Sequence, residues 1–76
     1  MLREHDRIVL TTELPDQPLE RGDVGTVVHI SGAGQACEAP FGTLEGRPAA
    51  VLTLKAAQLR QVGAWEITHA RELAKT

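Results

Sequence analysis

Apolar and polar residues alternate along most of the chain, and turn-forming residues break the alternation into five short predicted strands. In "DRIVLT", residues 6–11, Ile8 and Leu10 point one way and Arg7 and Val9 the other. "DVGTVVHI", residues 23–30, places Val24, Thr26, Val28 and Ile30 on one face and Gly25, Val27 and His29 on the less apolar one. Its β-branched residues suit a pleated surface and lose freedom in a helix. "QACEAPF", residues 35–41, gathers Cys37, Ala39 and Phe41 on an apolar face with Glu38 outward. Pro40 must then sit near a strand end or edge, because it has no N–H to give to a ladder. "PAAVLTL", residues 48–54, puts Ala50, Leu52 and Leu54 together, "KAAQL" reads as one helical turn, and "LRQV", residues 59–62, is the fifth strand.

The connections are as informative as the strands. "TELPDQPLERG", residues 12–22, holds Pro15 and Pro18 and is therefore a long loop, neither a helix interior nor a central strand. "SGAG", residues 31–34, predicts a hairpin turn, and Glu45-Gly46 turns the chain again. Beyond Gly63 the period changes. Ile67, Ala70, Leu73 and Ala74 recur at helical spacing, which favours a short C-terminal helix over an extra strand. The expected architecture is all-β: a small SH3-like five-stranded barrel over residues 1–63, followed by a helical tail over residues 64–76. Closing the sheet would remove edges that otherwise pair with other chains.

Composition narrows the function. The chain has 76 residues, enough for one domain with a small core; near 60 residues only about 60% of the unfolded surface is buried. Cys37 is the single cysteine, so no disulfide is expected, and its place on an apolar strand face predicts a buried, unreactive thiol. The charged start "MLREHDRIVL" does not read as a signal peptide, and no apolar run reaches the roughly 20 residues of a membrane-spanning helix, so a cytoplasmic protein is expected. Net charge is −2, and Phe41 and Trp65 are the only aromatic residues. Both facts argue against a nucleic-acid binder, which needs a basic face and stacking platforms. The same shortage of aromatic residues argues against a polyproline groove.

Motifs for chemistry are absent from the pattern. Gly22 and Gly25 precede a strand, Gly32 and Gly34 sit in a turn, and no Walker lysine follows, so the glycines do not form a phosphate loop. Gly25 inside a strand instead predicts a kink or a close approach by a neighbour. "QAC" at residues 35–37 is followed by Glu38 and Ala39, unlike a caspase nucleophile. His5, His29 and His69 lack the spacing of a helical metal pair, and Ser31, the only serine, lies in a turn. No catalytic residue, cofactor or metal is expected.

"GDVGTVV" is similar to the glycine-bearing strand start of SH3-like and KOW-type barrels. More widely, "HDRIVL", "LPDQPLERGDVGTVVHI", "CEAPF", "AVLTLKAAQLRQV" and "EITHAREL" together resemble a family of small bacterial proteins classed as a domain of unknown function. The resemblance covers nearly the whole chain. It implies a small barrel and no enzymatic activity, and its association with candidate toxin domains implies an antitoxin or immunity role.

The resulting expectation is a non-enzymatic protein-binding module, a monomer or weak homo-oligomer, whose partner is another protein of toxin-like type. Candidate partner-binding residues are Glu13, Asp16, Glu20 and Asp23 in the acidic loop, with Trp65, Ile67 and Leu73 in the tail. The loop would steer a basic partner and the tail would supply apolar contact, unless Trp65 instead caps an open end of the barrel. The alternatives are a KOW-like nucleic-acid or ribonucleoprotein accessory module and a self-assembling structural domain.

Overall fold

The computed structural model of the protein describes residues 2–73. Its strands are β1 (Arg7–Leu10), β2 (Val24–Thr26), β3 (His29–Ser31), β4 (Ala36–Gly42), β5 (Pro48–Lys55) and β6 (Leu59–Gln61), with 3-10 turns at Gly32–Gly34 and Ala56–Gln58. They form two three-stranded antiparallel sheets, ordered β2-β1-β6 and β3-β4-β5. The strand ladders do not join into one closed sheet.

Alternation places the second sheet's inner face as expected. Cys37 lies opposite Leu54, Ala39 opposite Leu52, and Phe41 opposite Ala50. All of these but Ala50, which packs against the margin, join Ile8, Leu10, Leu19 and Val27 in a single apolar core, where Cys37 is buried and its thiol is pushed up by desolvation. Pro40 lies beyond the last β4 residue paired with β3, where its missing N–H interrupts no bond to that strand.

The predicted second strand is two strands. Val28 N–H donates to the Glu38 carbonyl at 2.9 Å while His29 also faces Glu38, so two residues oppose one, as in a β-bulge. The bend carries the chain from one sheet to the other and changes which residues point inward. Gly25 and Val27 are buried and Val28 is 46% exposed, so the face expected to be less apolar supplies the core. Past the bulge, Ile30 returns to pack against the core.

The predicted long loop does more than connect strands, and one further expectation needs correction. The loop over residues 12–22 contributes Leu19 to the core and packs Leu14 against it. The backbone there is irregular, yet its leucines close one side of the small interior. The described part of the tail, through Leu73, contains no helix; Ala74 lies outside the described residues. Short helices nucleate poorly without an apolar face to bury, and Ile67 is almost fully exposed.

Candidate functional site

The outer face of the β2-β1-β6 sheet and the acidic loop meet the tail. Val9 faces Val24 on one side and Arg60 on the other, so these side chains form a row across the three strands. Val9 is buried yet stands outside the main core, in a crevice that Val24, Val62 and Leu73 also line. The row ends in a cation, Arg60, at the β6 edge. Asp23, immediately before Val24, supplies an anion at the β2 edge.

The tail answers both charges. Arg60 donates through both terminal nitrogens to the two carboxylate oxygens of Glu66, each at 2.7 Å, and Gly63 N–H donates to the same carboxylate at 2.5 Å. These hydrogen bonds hold Glu66 down to about 2, the Arg60 guanidinium being the main cause. Five residues later, Arg71 donates Nε–H to Asp23 Oδ1 at 2.9 Å and pairs through its Nη2 with Asp23 Oδ2. It also reaches the Pro18 carbonyl at 3.4 Å and Glu20 at 3.5 Å. Burial raises the pKa of Asp23, but the Arg71 hydrogen bond and the Glu20 N–H outweigh it, leaving the carboxyl below its ordinary value. The tail thus crosses the sheet from β6 to β2 between two ionic anchors.

This arrangement sorts the expected partner-binding residues. Glu13, Asp16 and Glu20 are exposed on the loop. Asp23 is half-buried and already committed to Arg71, and Glu20 is drawn into the same cluster. Trp65 is 98% exposed and Ile67 93%, so Trp65 does not cap the interior. Leu73 is half-buried. Ile67 and Leu73 therefore differ in role: Ile67 is almost fully exposed, whereas Leu73 lines the crevice beside Val9.

Arg60 and Arg71 are the residues that sequence reasoning missed. Nothing in the pattern pairs Arg71 with a carboxylate 48 positions away. The Arg60–Glu66 spacing of six is likewise no regular helical or strand neighbour.

Residues 4–61 match the family described as a domain of unknown function, DUF4926. The chain belongs to this family. The matched segment of the DUF4926 domain includes both sheets, Asp23 and Arg60, and ends before the tail. No curated protein and no solved structure is similar to the chain. Among the described residues of the DUF4926 chain, no helix is long and apolar enough to cross a membrane.

The ion pairs make the tail sensitive to acid. Glu66 titrates below its ordinary 4.5, so its pairing stabilises the docked tail above that pH and is lost as pH falls towards about 2. Asp23, also lowered, acts in the same direction below its ordinary 3.8. Trp65, the only tryptophan, reports on the segment. Its fluorescence anisotropy should drop as pH falls through this window, before far-UV circular dichroism shows loss of the strands. Constant anisotropy across the window would mean that the anchors do not hold the tail.

Proposed function

We propose that the protein is a non-enzymatic protein-binding module built on an SH3-like barrel. The order of elements supports the barrel: a first strand, a long loop, a bent strand (β2 continuing into β3), two hairpin strands, a 3-10 turn, and a last strand beside the first. The observation that carries the binding role is the exposure of Trp65 and Ile67 on a segment anchored at both ends by arginine–carboxylate pairs. Large exposed apolar side chains mark interaction surfaces, and tryptophan is enriched among their anchors. Glu13 and Asp16 lie on the loop that also supplies Glu20 and Asp23 to the Arg71 anchor, exposed and outside every ion pair among the described residues. They favour a basic partner, which they steer before Trp65 and Ile67 dock. In its most specific form the partner is a toxin-like protein encoded by a neighbouring gene; that version rests on the family resemblance.

The test is coexpression with the neighbouring gene product and measurement of both rate constants on the copurified complex. Glu13→Lys/Asp16→Lys should slow association, most at low salt, and leave the melting temperature unchanged. Trp65→Ala should speed dissociation by about tenfold or more, again without loss of stability, because the ring is exposed. An association rate indifferent to loop charge would overturn the steering role. A chain that copurifies with no protein and retains RNA in a salt-sensitive manner would support the KOW-like alternative instead.

A further inference from the structure

We propose that the outer face of the β2-β1-β6 sheet is a receptor for an extended segment of a partner protein, one bearing a carboxylate and, five positions later, an arginine. The protein's own tail occupies this receptor in the isolated chain. The inference goes beyond the Trp65–Ile67 contact and does not depend on it, since those side chains are exposed while the tail is docked.

The receptor is defined by its own residues. Arg60 marks one end, Asp23 with Glu20 the other, and the Val9–Val24 pair lies between them. Two strand spacings separate β6 from β2, about 9.6 Å. Five extended residues span up to roughly 16–18 Å, whereas five helical residues rise only about 7.5 Å. An extended ligand therefore reaches both charges comfortably, and the tail reaches them without helix. The two ends have opposite sign, so the face selects the direction of the bound segment as well as its charges.

The arginine end also selects among cations. Asp23 takes Nε–H and Nη2 of Arg71 together, and the Pro18 carbonyl and Glu20 take further donors. A planar guanidinium satisfies this set, whereas lysine offers one compact point charge.

The tail's attachment is suited to exchange. Residues 62–73 add no strand to either sheet, and those from 62 to 72 are exposed. The receptor residues lie within the family match and the tail lies beyond it. A tethered occupant competes at high effective concentration, so a free peptide binds the intact chain weakly and an unlatched chain strongly.

The experiment uses the full chain and a fluorescein-labelled synthetic peptide with the sequence of residues 63–73. Glu66→Ala/Arg71→Ala unlatches the chain's own tail and leaves Arg60, Glu20 and Asp23 in place. This variant should bind the peptide about tenfold or more tighter than wild type does. Adding Asp23→Asn to it should abolish that gain, and a peptide carrying Arg71→Lys should bind more weakly than the natural one. Glu66→Gln/Arg71→Gln provides a second unlatched chain, and circular dichroism verifies that both retain their strands. Equal peptide affinity for wild type and both unlatched variants would overturn the proposal, as would indifference to Asp23→Asn. A wild-type dimer that unlatching dissolves would also overturn it, in favour of tail exchange between two copies.

Discussion

Phe41→Ala is expected to remove a large share of the protein's folding stability. Phe41 is 1% exposed and is the only phenylalanine in the chain, so its ring is the largest fully buried side chain. Its neighbours leave room for it by being small: Ala50 lies opposite on β5, and Gly25 approaches it from β2. Neither has a side chain that could swing into the space the ring vacates. Truncating a buried phenylalanine costs about 3–5 kcal/mol, and poor collapse places a site towards the upper end. Natural domains hold roughly 0.05–0.15 kcal/mol per residue, about 4–11 kcal/mol for 76 residues, so the expected loss is a large share of the total. Urea denaturation monitored by circular dichroism measures it. A loss below about 1 kcal/mol would show that the two sheets do not pack around this ring.

Gly25→Val is expected to be the next most damaging change, for the opposite reason. A Cβ at Gly25 would lie 2.9 Å from Phe41 Cε2, 3.0 Å from Phe41 Cζ and 3.0 Å from the Pro40 carbonyl oxygen. The glycine does not have positive φ, so the cost comes from packing and not from backbone preference. The Phe41 ring could tilt, but the Pro40 oxygen belongs to the backbone of β4 and cannot yield without moving the strand. Overpacking of this kind costs about 1–3 kcal/mol. Part of the penalty should disappear in a Phe41→Leu background, where the ring no longer presses on the site, while the part due to the Pro40 oxygen remains. A double-mutant cycle separates the two. Full additivity of Gly25→Val and Phe41→Leu would mean that the ring and the glycine do not meet.

The family match and the sheets agree on where the regular structure ends, and the tail lies beyond both. This division bears on function, because the exposed tryptophan and the two anchoring partners of the crevice, Glu66 and Arg71, are tail residues. A chain shortened after the last strand would keep the receptor charges and lose their occupant.

The sequence alone determined the two long strands of the second sheet, β4 and β5, because there one face is buried and the other solvated, and a period of two is legible wherever that asymmetry holds. Cys37, Ala39 and Phe41 face Leu54, Leu52 and Ala50 for that reason. It also determined the 3-10 turn before β6, the close approach at Gly25 and the burial of Cys37, each of which follows from local residue chemistry. Tertiary structure decided the rest. The bulge at Val28 and His29 shifted the alternation within the predicted second strand, with Gly25 and Val27 inward before it and Ile30 inward after it, and only the partner strand reveals such an extra residue. Leu14 and Leu19 became interior because the loop folds over an open side of a core too small to enclose itself. The tail's helical spacing came to nothing because Arg60 and Asp23 hold Glu66 and Arg71 at opposite edges of a three-stranded sheet, a distance that extended chain spans more readily than five residues of helix do.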